Sequence, residues 1–211
     1  MTCKKETGLT LVEMLIALVL GLFVTAVIIT VFSTNVRSST ENIKMIRLNQ
    51  ELRGVMTMMV DELKRTGHSA DATNSDFMSD INFTSTCARY SYDEDKSSIR
   101  ETDERFGFRL NVNTIEWSSN ATSSGCTGGL WSEITDPNLA LITTLDFDVT
   151  GSVNTGGVTG VTAVTTTTGV SVYDVTITLT GTTDLPHSSA ANDPRRTITE
   201  TVRIRNEDPK D

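Results

Sequence analysis

Lys4-Lys5-Glu6-Thr7-Gly8-Leu9-Thr10-Leu11-Val12-Glu13-Met14-Leu15-Ile16-Ala17-Leu18 opens an apolar run that continues to Phe32. As a helix, Leu9 to Phe32 would extend about 36 Å, enough to cross the hydrocarbon core of a bilayer. The run starts too close to the N-terminus, and lasts too long, for an ordinary secretory signal with a small-x-small cleavage site behind it. Lys4 and Lys5 precede it and hold that end in the cytoplasm, so the remainder of the chain is expected to be exported. Glu13 interrupts the run. A carboxylate inside a membrane segment costs about 2.5 to 3.5 kcal/mol on insertion scales, so it calls for a partner or a purpose. It stands only about a turn inside the run, and a polar residue tolerated near the membrane surface is the plainer alternative.

The same residues resemble the class III signal of type IV pilins and pseudopilins: a short basic leader, a glycine, a hydrophobic residue, and a glutamate at the fifth mature position. Gly8 matches the last leader residue, Leu9 the first mature residue and Glu13 the fifth. The family usually has Phe where Leu9 stands. The resemblance implies cleavage between Gly8 and Leu9 by a prepilin peptidase and N-methylation of Leu9. It also implies pairing of Glu13 with the α-amine of a neighbouring subunit. In a low-dielectric setting two such charges attract strongly and separating them is costly, so the glutamate would gauge axial register between subunits. The family often kinks its helix with a proline near mature position 22. That position is Thr30, and Leu9 to Thr66 contains no proline, which points away from a major pilin and toward a minor pilin or pseudopilin. Gly21 and Gly54 remain candidate soft points.

Beyond the apolar run, Arg37 to Lys44 is polar and marks emergence from the membrane. Met45, Leu48, Leu52, Val55, Met59 and Leu63 then recur at steps of three and four, one apolar stripe on a continuing helix. Lys64 and Arg65 suit its last turn and Gly67 the position just past it. From Ile81 the pattern changes to short strands: Asn82–Thr84, Cys87–Tyr92, a hairpin of Phe106–Asn111 and Thr114–Trp117, then Leu139–Val149, Val170–Thr180 and Thr197–Arg205. Gly151 to Gly169, rich in Thr, Val and Gly, reads as a flexible hairpin or loop. The predicted fold class is α+β: a long N-terminal helix, both membrane anchor and spine, packed on an antiparallel β-sheet head, the pilin fold. The predicted divisions are a cleaved leader (1–8), a transmembrane or filament-core half of the helix (9–35), an amphipathic half (36–67) and a globular β head (68–211).

Three cysteines occur, Cys3, Cys87 and Cys126. Cys3 falls in the leader, so the mature chain keeps two. In an oxidising compartment these read as one disulfide, with two unrelated buried thiols as the alternative. His68 and His187 are too few and too far apart to suggest a metal site or a His-based active site. The net charge of -9 argues against a nucleic-acid partner, and Arg89, Arg100, Arg105 and Arg109 are scattered along the sequence. Asp93-Glu94-Asp95 lacks the spacing and central Gly of a calcium loop and reads as a solvated acidic turn. Asp146 and Asp148 alternate along a strand without the acid, base and cleft of a hydrolase. Asn82-Phe83-Thr84 and Asn120-Ala121-Thr122 match the glycosylation sequon by chance in a prokaryotic signal context. Gly125, Gly128 and Gly129 surround Cys126 without the Lys-Ser/Thr of a phosphate loop. No catalytic residue, metal ligand, cofactor or small-molecule substrate is assigned, and the chain is read as no enzyme.

Several stretches resemble PilW-type minor pilins: Leu18-Val19-Leu20-Gly21-Leu22-Phe23, Arg47-Leu48-Asn49-Gln50, Met59 to Gly67, Trp131 ahead of Leu139-Ala140-Leu141-Ile142, and Thr201-Val202-Arg203-Ile204-Arg205-Asn206. The resemblance implies a subunit that primes or caps a type IV pilus. Its implied partners are other minor and major pilins, the prepilin peptidase and the inner-membrane assembly platform. It would be anchored once in a bacterial inner membrane with its head in the periplasm, and then enter the filament. The J-type minor pseudopilin of type II secretion shares the architecture and is the alternative. A tip adhesin or DNA-binding subunit is a second.

Overall fold

The computed structural model describes residues 8, 10–71, 76–122, 125–149, 173–185 and 193–204. It divides the chain into two compact units, Met1–Ile43 and Lys44–Asp211. One helix, α1 (Leu11–Arg65), runs from the first unit into the second. A stretch without proline lets the hydrogen-bond ladder continue unbroken. Glu13 in the first turn and Lys64 and Arg65 in the last match the helix dipole. At the C-terminus Gly67 takes φ 76°, a left-handed backbone that closes the helix without a Cβ clash. Its N–H donates to the Ser91 carbonyl at 2.7 Å.

In the first unit the large apolar side chains from Leu11 to Phe32 are exposed. The polar groups among them are satisfied locally. Thr25 and Thr30 hydroxyls donate to the carbonyls of Gly21 and Ala26, at 2.7 and 2.9 Å, so neither leaves a donor stranded in an apolar medium. At Thr30, where the pilin family often carries proline, the helix passes through intact.

In the second unit, helix residues Leu48, Leu52, Val55, Met56, Met59 and Leu63 are buried. Met56 joins the expected stripe, while Met45 is only half-buried. The strands form two antiparallel sheets where a single one was expected. The first is ordered β1 (Asn82–Thr84), β2 (Cys87–Ser91), β3 (Arg105–Asn111), β4 (Thr114–Ser118), β5 (Ser132–Glu133); the second β6 (Leu141–Asp148), β7 (Tyr173–Thr182), β8 (Arg195–Ile204). Between them pass hydrogen bonds from Ile142 N to Asn113 O at 2.8 Å and Phe147 N to Ser85 O at 3.3 Å. Alternation decides the faces. On β7, Val175, Ile177 and Leu179 are buried, and Thr176, Thr178 and Thr180 pair outward with Thr201, Thr199 and Thr197 of β8 at 3.1, 3.4 and 2.9 Å.

The strand limits shift slightly from expectation. β6 starts at Leu141, because Leu139 and Ala140 N–H groups donate to the Asp136 carbonyl in a turn. β7 runs to Thr182, two residues past the reading. The short helix α2 (Asp76–Ser79), a 3-10 turn at Thr102–Glu104 and β5 were not foreseen; each is too short to show periodicity. The Gly151–Gly169 reading, residues 170–172, Cys3, Lys4, Lys5, Leu9, His187 and the Arg205-Asn206 ending lie outside the described residues.

Candidate functional site

The residues expected to carry processing and assembly sit at the start of α1. Gly8 lies in open space: a Cβ there would meet nothing within 4 Å. Thr10 and Glu13 form a reciprocal pair. The Glu13 N–H donates to Thr10 Oγ1 at 3.3 Å, and Glu13 Oε2 accepts from both the Thr10 N–H and its hydroxyl at 3.1 Å. This is a capping box, in which the side chains of the N-cap residue and of the third helical residue satisfy each other's backbone donors. Its signature, Thr-x-x-Glu, stands in the sequence at Thr10-Leu11-Val12-Glu13, masked by the apolar run around it. In a single chain the glutamate is thus held at the helix start by its own helix. The helix behind it has the length and composition to cross a membrane.

A disulfide joins Cys87 on β2 to Cys126, with Cα atoms 6.1 Å apart. It ties the 125–131 segment to the first sheet beside Arg109. That guanidinium donates from Nε to Glu116 Oε2 at 2.5 Å and from Nη1 to the Cys126 carbonyl at 2.7 Å, and stacks over Trp131 at 4.4 Å.

The other three arginines, scattered in sequence, converge on one carboxylate. Arg89, Arg105 and Arg100 approach Asp80 at 2.5, 3.0 and 3.7 Å. Arg100 also donates to the Asp76 carbonyl. Burial pulls the Arg89 guanidinium below its ordinary pKa, against the attraction of Asp80. The arrangement locks α2, β2 and β3 together, and its charge is turned inward on Asp80. Asp146 and Asp148 lie on the outward side of β6, opposite buried Leu145 and Phe147. His68 is exposed at the end of α1.

Two family models match this chain. One described as prepilin peptidase-dependent protein B matches residues 41–204. The other, the prokaryotic N-terminal methylation motif, matches residues 3–29. No curated protein matches the chain, and no solved structure does.

Proposed function

The chain belongs to the family of prepilin peptidase-dependent protein B, a type IV pilin-like protein with a membrane-anchoring helix, and from that premise we propose that it is a minor pilin of the PilW type. In this reading the peptidase removes Met1–Gly8, Leu9 becomes the methylated N-terminus, and the β unit stays on the periplasmic side. The subunit then joins other pilins and the assembly platform to start or cap a filament, as a structural part that catalyses nothing. The observation that carries it is one carboxylate, Glu13, in the first turn of α1, the only charged residue between Leu9 and Phe32 and inside the segment, residues 3–29, that matches the methylation motif.

The capping box sharpens the test. Glutamine serves in a capping box as glutamate does, but carries no charge. Glu13→Gln therefore keeps the local hydrogen bonds and removes the charge, whereas Glu13→Ala removes both. If the carboxylate pairs with the α-amine of a neighbour, both variants should insert and be cleaved. Both should fail to recover partner pilins in pull-downs and to form fibres, because a neighbour's buried amine loses its partner. Normal fibres with Glu13→Gln would leave Glu13 only its capping role and sink the register-pairing reading. The pseudopilin alternative rests on the shared architecture, and the missing proline does not divide it from a minor pilin. It separates by which partners are recovered: pilus subunits in one case, secretion-system subunits in the other.

A further inference from the structure

The connection from β2 to β3 reads Asp93-Glu94-Asp95-Lys96-Ser97-Ser98-Ile99-Arg100-Glu101-Thr102-Asp103-Glu104. A solvated acidic turn would expose its carboxylates. Glu94 and Asp95 are exposed in that way, but Asp93 and Glu104, at opposite ends of the loop, are each only 4% exposed. One oxygen from each of Asp93, Asp95 and Glu104 lies within 4.8 Å of the others. Among the described residues no arginine or lysine forms an ion pair with any of the three. Three carboxylates gathered so closely repel one another. Glu104 is partly compensated, its two oxygens accepting the Glu94 and Glu101 N–H groups at 2.8 and 3.0 Å, and Asp95 accepts the Ser97 N–H at 2.8 Å.

A second observation concerns the Asp93 side chain. Its Oδ2 accepts N–H groups from Ala70 and Ser98 at 2.8 and 3.1 Å. Its Oδ1 is buried and has no hydrogen-bond partner. A buried carboxylate oxygen left without a donor is costly unless a cation serves it.

The spacing of the loop says which cation. Counting Asp93 as the first position, side-chain oxygens fall at the third (Asp95), fifth (Ser97), ninth (Glu101) and twelfth (Glu104). The seventh residue, Ile99, offers a backbone carbonyl. That is the ligand order of the twelve-residue calcium loop; reading Asp93–Asp95 as an isolated triplet hides it. Such loops place glycine at the sixth position for a sharp turn. Here it is Ser98, and it adopts the required left-handed backbone with φ 59°. The Ser97 hydroxyl donates to the Ile99 carbonyl at 3.2 Å, so the fifth and seventh positions already lie side by side.

We propose that this loop is a calcium site, with Asp93, Asp95 and Glu104 as charged ligands and Ser97 and the Ile99 carbonyl completing the oxygen set. Two oxygens each about 2.4 Å from one ion are at most about 4.8 Å apart, so the cluster can close on calcium with little movement. Magnesium keeps several waters and is rarely held by an all-protein set. Binding would also fasten the end of α1. The Asp93 N–H donates to the His68 carbonyl at 2.8 Å, and Ala70 hangs from the same carboxylate.

The test uses the full chain in detergent micelles, stripped with EDTA, titrated with CaCl2 by calorimetry and followed by thermal unfolding. Stoichiometric binding is expected with Kd on the order of 10⁻⁴ to 10⁻³ M, the range of extracellular calcium modules. At tenfold excess over Kd, Tm should rise by about 3 to 6 °C. Asp95→Asn and Glu104→Gln should each weaken binding at least about tenfold. Asp95 is exposed, so Asp95→Asn keeps the test open if the buried Glu104→Gln fails to fold. Absence of heat and of a Tm shift with about 10 mM CaCl2, far above the expected Kd, would overturn the proposal. So would an equal response to MgCl2, or wild-type affinity in a folded Asp95→Asn protein.

Discussion

At the scale of single residues, Glu62 governs a small buried network. Its Oε2 accepts from the Tyr90 and Tyr92 hydroxyls at 3.3 and 3.2 Å, and Trp117 Nε1 donates to the Tyr90 oxygen at 3.3 Å. Burial first, then the Glu62 charge, pushes both phenols above their usual pKa of 10.0. The folded state therefore holds protons that the unfolded chain releases above about pH 10, so stability falls as pH rises from there toward the folded values. Tyr92→Phe should flatten that decline; denaturant midpoints measured between about pH 9 and 11.5 check it, and identical slopes for variant and wild type would contradict it. Gly129 is a second such residue. With φ 100°, any Cβ there would also collide with the Asn120 carbonyl. Gly129→Ala should cost about 2 kcal/mol or more, read from the same midpoints.

At the scale of elements, the join between α1 and β7 turns on Gly181. A Cβ there would stand 2.9 Å from Leu52 Cδ2 and 3.3 Å from Leu48 Cδ1, so the glycine lets the strand approach the helix closely. Leu52 is fully buried, and Leu52→Ala should cost about 2 to 5 kcal/mol. Gly181→Ala alone should destabilise through overpacking, yet cost less in the Leu52→Ala background, where the truncated side chain leaves room. A double-mutant cycle by urea unfolding should show a coupling of at least about 0.5 kcal/mol; strict additivity would mean that helix and strand relax independently. The disulfide is the other element-level constraint. Cys87 and Cys126 are 39 residues apart, a loop whose closure is worth up to about 4 kcal/mol on the chain-entropy estimate. Replacing both with Ala should lower stability by up to that amount. Denatured, non-reduced protein should show no reactive thiol from either cysteine.

At the scale of the whole molecule, the two units have opposite surfaces. Unit Met1–Ile43 presents apolar side chains outward, whereas Lys44–Asp211 closes a core. Exposed apolar area of that extent is stable only in lipid or against other subunits. The protein should accordingly remain in the membrane pellet after alkaline carbonate extraction. Processing should add a second whole-molecule signature. The leader carries Lys4 and Lys5 against Glu6, so its loss takes the formal side-chain charge from -9 to -10. Intact-mass measurement should find a chain starting at Leu9, and a species retaining Met1 to Gly8 in a peptidase-competent host would contradict that.

The amino-acid order alone determined the features that depend on local pattern. The apolar run, Lys4 and Lys5 ahead of it and Glu13 within it lie in one contiguous stretch. The stripe from Leu48 to Leu63 and the alternation along β7 follow from helix and strand periodicity. Cys87 and Cys126 allowed a disulfide, and the Thr10–Glu13 box and the twelve-residue spacing from Asp93 are local patterns of the same kind. Tertiary structure alone decided the rest, because it depends on which distant segments meet. Splitting the strands into two sheets required folding β6 beside Asn113 and Ser85. Gathering Arg89, Arg100 and Arg105 onto Asp80 required α2, β2 and β3 to pack together. Burying Asp93 and Glu104 in one cluster required the loop to fold back against the end of α1. Burial is a property of the packed chain, and it is burial that turns a string of acidic residues into a place where a cation is needed.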